Sequence, residues 1–233
     1  MNNRPASSPL LRRDFERVPP ALVAQASAFA ASILADVAGR RGTLDGRITP
    51  LSRSTRLAGP AFTVEVRPGD NLMIHAAMAL AQPGDVLVVD GKGDRSCALM
   101  GEIMITTCKQ LGLGGVVIDG AHRDTEDLLA LGFPVYSVGS NPNGPTKSVP
   151  GRINGPISCG GVAVSPGDLI VGDGDGVVVI ERDRVASILG PAAKKVTDER
   201  ARIDEITSGA SIRPEWLDGA LRAAGLMQDG ETL

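Results

Sequence analysis

Arg123 and Asp124 stand side by side in VVIDGAHRDTEDL (residues 116–128), just after an apolar run that ends at Asp119 and Gly120. Such a pair can bind a small acid. A guanidinium grips a carboxylate through two parallel N–H bonds, and an aspartate can hold a hard divalent ion such as Mg2+ or Mn2+. A second carboxylate, Glu102, follows Gly101 in SCALMGEIMITTCKQLG. Plain architecture explains the same residues in another way. Asp124 and Asp127 also resemble a helix N-cap with an acidic first turn, which would leave Arg123 as a solvated surface charge.

The flanking elements decide where these side chains can meet. GDVLVVDG (84–91) and GGVVIDG (114–120) are continuous apolar runs of the buried-strand kind, and FPVYSVG (133–139) is a third. Residues 97–111 and 124–131 carry helical spacing between them, so parallel pairing with crossovers is expected. Two neighbouring strand–helix units would then aim Glu102 and Asp124 at one sheet edge, where open α/β folds bind ligands. Upstream, Ala21 to Ala38 is read as one Ala-rich helix, Thr55–Arg67 as a strand, and Asp70 or Asn71 as the cap of a following helix. Beyond residue 140 the many Gly and Pro among short β runs predict antiparallel strands and tight turns. Residues 182–208 and 214–224 read as charged helices. The organisation expected is a flexible arm (1–20), an α/β domain (21–181) and a C-terminal helical extension (182–233).

Several other chemistries lack their signatures. VVDGKGDRS (88–96) is neither a Walker loop nor GxGxxG, and no GxSxG motif is present. GDGDGVV (172–178) begins like an EF-hand loop but runs straight into an apolar strand, as an Asp-Gly hairpin does. His75 lies in the apolar helix NLMIHAAMAL and reads as a packed or half-exposed residue rather than a ligand, whereas His122 neighbours the Arg-Asp pair and is a candidate to line a site; two such histidines make no zinc site. The five lysines, Lys92, Lys109, Lys147, Lys194 and Lys195, all lie outside apolar runs that would activate a Schiff-base amine. A net charge of −3 and 3% aromatic residues argue against a nucleic-acid partner. No apolar run reaches the length of a membrane span. Cys97, Cys108 and Cys159 read as reduced thiols, and a cytoplasmic location is expected.

The pattern Gly101-Glu102, Arg123-Asp124 and Asp127, with the segment NPNGPTKSVPGRINGPISCGGVAVSPGDLIVGDGDGVVVI (141–180), resembles the 4-hydroxy-4-methyl-2-oxoglutarate aldolases. These are class II pyruvate aldolases that also decarboxylate oxaloacetate, in a superfamily shared with the regulator of ribonuclease activity A. The resemblance implies a three-layer α/β/β sandwich like the phosphohistidine swivelling domain, assembled as trimers or hexamers with sites between subunits. It implies that Arg123 binds the pyruvyl carboxylate, that Asp124 holds Mg2+ or Mn2+, and that backbone amides of Gly101, Glu102, Ile103 and Met104 contact a small polyanionic keto acid. It also implies a catalytic acid from the neighbouring subunit's C-terminal helices, for which Glu199 is favoured over Asp198, Asp204 and Glu205. A metal-bound water is the expected base for the substrate hydroxyl. The alternative is a non-enzymatic ribonuclease-binding regulator, although those relatives are shorter and lack an acid matching Glu102.

Overall fold

A computed structural model describes residues 10–228 and 230–233; the first nine residues of the expected arm fall outside it. The strands are β1 (Thr49–Pro50), β2 (Leu57–Glu65), β3 (Val86–Met100), β4 (Gly115–His122), β5 (Val135–Ser140), β6 (Arg152–Ile153), β7 (Ile157–Cys159), β8 (Val162–Val164), β9 (Leu169–Asp173) and β10 (Gly176–Ile180). The helices are α1 (Pro20–Ala26), α2 (Ala31–Val37), α3 (Leu72–Met78), α4 (Glu102–Gln110), α5 (Thr125–Leu131), α6 (Val185–Thr207) and α7 (Leu217–Ala223). Two compact units divide at Ala192 and Ala193.

In the first unit the sheet runs β1-β5-β4-β3-β2-β9-β10, with β6 also on β2 and a separate β7–β8 ribbon. Pairing is parallel from β2 through β3 and β4 to β5, and antiparallel on the β9–β10 side. The buried-strand runs behave as their composition requires, because both faces of the sheet are covered. Along β3, Leu87 and Val89 face the layer of α3, α4 and α5, while Val86 and Val88 face the β7–β8 ribbon with Ile157 and Val164. This is period-two alternation between two cores. A third core joins α1 and α2 to β9, β10 and the first turns of α6. Helices, sheet and ribbon make the α/β/β architecture.

Three local departures from the sequence reading have physical causes. The stretch Ala21 to Ala38 is two helices bent by 106°, not one. The Ala31 N–H, at the start of α2, is captured at 2.8 Å by Asp173 Oδ2 on β9, a long-range bond that no local pattern reveals. Residues 97–100 are strand rather than helix: after an irregular turn with Lys92 and Gly93 at positive φ, Ala98 pairs with Ala121 and Met100 with His122. From Leu10 onward the expected arm lies on the body. Arg17 forms a bidentate pair with the buried Asp85 at 2.7 and 2.9 Å, and Val18 is buried.

The second unit holds most of α6 and all of α7, with exposed charge pairs such as Lys195–Glu199 at 2.8 Å and Arg202–Glu205 at 2.9 Å. Among the described residues, no single helix is long and apolar enough to cross a membrane.

Candidate active site

The turn between β4 and α5 answers why Arg123 and Asp124 stand together. Asp124 is the N-cap residue of α5, but at φ 59°, ψ 45°, and its side chain makes no bond to its own helix. A left-handed backbone is costly for most residues and tolerated by Asp. The conformation turns the carboxylate away from α5 and toward α4, where Oδ2 accepts the Glu102 N–H at 2.9 Å. Asp124 therefore caps the neighbouring helix, satisfying one of the donors that a helix start leaves open. The Arg123 N–H donates to the Met100 carbonyl at 3.0 Å, tying the same turn to the end of β3.

Arg123 is held between two glycines. Its Nε lies 3.6 Å from Asp124 Oδ2. A Cβ built at Gly101 would stand 2.9 Å from Arg123 Cγ, and one at Gly144 would stand 3.1 Å from Nη1. The His122 ring, one residue back, is buried between Ser137 Oγ at 2.8 Å and Thr125 Oγ1 at 3.1 Å, with burial lowering its pKa. His122 thus braces the turn and is kept in its neutral form.

These groups open onto a cleft of about 230 Å3 whose wall includes Gly101, Ile103, Met104, Arg123 and Asp124. Glu102 contributes its N–H, while its side chain is exposed and outside the lining. Ile103 is 80% exposed at the rim, and Met104 is buried. Glu199 belongs to the second unit, where it is paired with Lys195.

Three lining residues with polar side chains were not singled out for a site from the sequence: Asn71, His75 and Lys147. Asn71 had read as a cap and His75 as packing, while Lys147 is set in a Gly/Pro/Asn-rich loop without periodicity. Asp70 fixes that loop. Its Oδ2 accepts from Thr146 Oγ1 at 2.7 Å and from the N–H groups of Ser148 and Val149 at 2.8 and 3.1 Å, and Oδ1 accepts the Leu72 N–H at 3.0 Å. Burial alone would raise the Asp70 pKa, but these donors overcome it and bring it from 3.8 to about 2. A lowered folded-state pKa gives stability that is complete above the unfolded value and lost as pH falls through the folded one. Urea unfolding between pH 5 and 2 should show the protein losing about 2 kcal/mol from this group. Asp70→Ala should flatten that slope and cost about 2–4 kcal/mol at neutral pH, since several buried donors lose their acceptor.

Among the described residues, no three His, Cys, Asp or Glu side chains cluster in a way that could hold a metal. The donor set instead fits an ion that needs little from the protein. Mg2+ keeps several waters and is held through one or two carboxylates plus the substrate, and Asp124 provides one carboxylate at the cleft wall.

Comparison with known proteins places the chain in a family. Residues 23–179 match the family described as RraA-like, aldolase/RraA. A protein of Halalkalibacterium halodurans, provisionally named a 4-hydroxy-4-methyl-2-oxoglutarate aldolase, is 43% identical over 175 residues, covering 75% of this chain and 83% of that protein. An uncharacterized protein of Methanocaldococcus jannaschii is 35% identical over 168 residues, 71% of this chain and 81% of its own. Among solved structures, RraAS2 of Streptomyces coelicolor, described as an unusual member of the RNase ES inhibitor RraA family, superposes with a TM-score of 0.75. It is 28% identical, over 81% of this chain and 98% of that one.

Proposed function

The chain belongs to the RraA-like, aldolase/RraA family, and on that footing we propose that it is a divalent-metal-dependent pyruvate aldolase. Its substrates would be small polyanionic 4-hydroxy-2-oxo acids such as 4-hydroxy-4-methyl-2-oxoglutarate or 4-carboxy-4-hydroxy-2-oxoadipate, with oxaloacetate decarboxylation as a second activity. The observation that carries this reading is the Arg123–Asp124 turn, whose left-handed backbone at Asp124 turns the carboxylate toward α4, on the wall of a cleft that also holds Lys147.

Arg123 binds the carboxylate of the pyruvyl half in the fork geometry that a guanidinium offers. Its fixed charge also stabilises the negative charge that spreads onto the keto oxygen as the carbon–carbon bond breaks. Of the first-turn N–H groups of α4, from Gly101 through Met104, those not already given to Asp124 Oδ2 (Glu102) or to the Gly101 carbonyl (Met104) orient the keto acid, since helix starts favour anions. Lys147, which also lines the cleft, attracts the distal carboxylate of a dianionic substrate. Asp124 would hold Mg2+ or Mn2+. When bound, the ion supplies Lewis-acid stabilisation of the developing enolate. Oxaloacetate loses CO2 through the same enolate, so one site serves both reactions.

Pyruvate release from oxaloacetate, followed after exhaustive chelation and again after Mg2+ is restored, tests the metal. Chelation should abolish activity and Mg2+ should return it; full activity in the chelated protein overturns metal dependence.

We further propose that the site is completed by Glu199 of an adjacent copy in a trimer or hexamer, as the family resemblance implies. Arg123→Ala and Glu199→Ala should each be nearly inactive. Refolded together in equal amounts, they should regain activity at about a quarter of the sites, the share expected from random mixing in a cyclic oligomer. No recovery at native oligomer size would remove Glu199 from the shared site.

A second reading, a ribonuclease-binding regulator, is favoured by the names of solved relatives: RraAS2, and the RNA-processing inhibitor RraA of Thermus thermophilis, 28% identical with a TM-score of 0.60 over 64% of this chain and 91% of that one. Capture of a ribonuclease, with no pyruvate formed from oxaloacetate, would select it.

A further inference from the structure

The keto-acid half of a substrate leaves part of the cleft's polar surface without a role. Asn71 and His75 both line the cleft, four residues apart at the start of α3, with the His75 N–H bonded to the Asn71 carbonyl at 3.2 Å. Asn71 is 3% exposed. Its Nδ2 donates to the Leu99 carbonyl at 2.9 Å and to Met104 Sδ at 3.2 Å, which fixes the amide and leaves Oδ1 as acceptor. Oδ1 has no protein partner, and neither has the buried His75 Nε2. A buried polar group without a partner costs the full desolvation of that group, so native structures keep few of them. Two on one helix, lining one cleft, mark a place for a ligand group that brings its own proton. Burial, and then the charge of Lys147, lower the His75 pKa, so the ring is neutral and one of its nitrogens is an acceptor.

Resting on the aldolase reading of the same cleft, we infer that Asn71 and His75 receive the C4 hydroxyl of the 4-hydroxy-2-oxo acid, with His75 Nε2, rather than the metal-bound water expected from the sequence, taking its proton. In that step the O–H bond breaks and the N–H bond forms on His75. The oxygen lone pair becomes the new carbonyl, and the C3–C4 bonding pair moves into the enolate of pyruvate. The proton then returns from His75 to C3, giving the pyruvate methyl group and restoring the neutral ring. No oxidant or further reactant is needed. Asn71 Oδ1 orients the hydroxyl, and His75 acts as general base and then general acid.

Oxaloacetate tests this directly, because it reaches the same enolate by losing CO2 and has no C4 hydroxyl to deprotonate. The Mg2+-loaded full chain is assayed with 4-hydroxy-4-methyl-2-oxoglutarate and with oxaloacetate, and the quantity read is the ratio of the two kcat values. In His75→Ala that ratio should fall about 100-fold, the usual contribution of a positioned base. His75→Gln, which keeps a polar head but cannot carry the proton, should not restore it. Asn71→Ala should raise KM for the hydroxy acid more than for oxaloacetate, as expected when a group that bonds a substrate hydroxyl is lost. A merely structural role for His75 lowers both reactions together and leaves the ratio unchanged, and that result overturns the inference while the aldolase reading stands. Should the unmodified protein act on neither substrate, the aldolase reading falls and the inference falls with it.

Discussion

Arg123→Lys should lower kcat/KM for pyruvate release by two orders of magnitude or more, on the order of 3 kcal/mol of transition-state stabilisation. Charge is conserved in this substitution; shape is not. A lysine presents a single ammonium on a flexible stem, whereas the guanidinium offers parallel donors in a plane. The surroundings of Arg123 are built for that plane. Gly101 and Gly144 leave room on either side, and Nε stands 3.6 Å from Asp124 Oδ2. Lysine has no donor at the Nε position to hold toward Asp124, so both substrate grip and the orientation of the metal-binding carboxylate should suffer. Loss concentrated in kcat would mean that Arg123 acts mainly on the developing enolate; loss concentrated in KM would mean that it acts on the bound carboxylate. Near-normal turnover would make Arg123 the solvated surface charge that a simple helix cap predicts.

The parts of this architecture that the sequence made legible are those in which one residue type has one physical reason to be present. Runs such as Val86–Val89 and Val116–Ile118 are apolar at every position because the sheet is covered on both faces, and they are the parallel strands β3 and β4. A two-residue hairpin does join β9 to β10, pairing Gly176 with Asp173, but its turn residues are Gly174–Asp175 rather than Asp-Gly, and neither is at positive φ. Arg123 and Asp124 were legible because charged residues directly after a buried strand must lie at its rim. What stayed hidden depends on contacts far away in the chain. Nothing near Ala31 announces that Asp173 will take its N–H and bend the helix pair. Nothing near Asp124 says that its carboxylate caps α4 rather than α5. Asn71 and His75 follow the same spacing as the packed Ile74 and Met78 around them, so a cleft-facing pair and a buried helix face look alike until the neighbouring loop is in place. Lys147 is positioned through Asp70, seventy-seven residues upstream, which holds Thr146 and Ser148 on either side of it.

Gly101→Ala should reduce activity about 100-fold while lowering the melting temperature by only a few degrees, the cost of one lost helix cap. Gly101 has φ −143°, so alanine meets no backbone penalty there, and the effect must come from the added methyl group. That carbon would overlap Asp124 Oδ2 and would stand 2.9 Å from Arg123 Cγ and 3.1 Å from its Nε. Something must move. The Gly101 backbone is anchored, since its carbonyl accepts the Met104 and Ile105 N–H groups at 3.1 and 3.0 Å and so opens α4. The side chains of Arg123 and Asp124 are partly exposed and are the softer element. They should yield, breaking the Asp124 bond to the Glu102 N–H and displacing the guanidinium by roughly an ångström, a misplacement that can itself cost about 100-fold in rate. A loss of that size with thermal unfolding lowered by no more than a helix cap's worth would place the pair's function in its geometry. Full activity in Gly101→Ala would mean that the reaction does not depend on where Arg123 and Asp124 stand, and the site assigned to them would have to be abandoned.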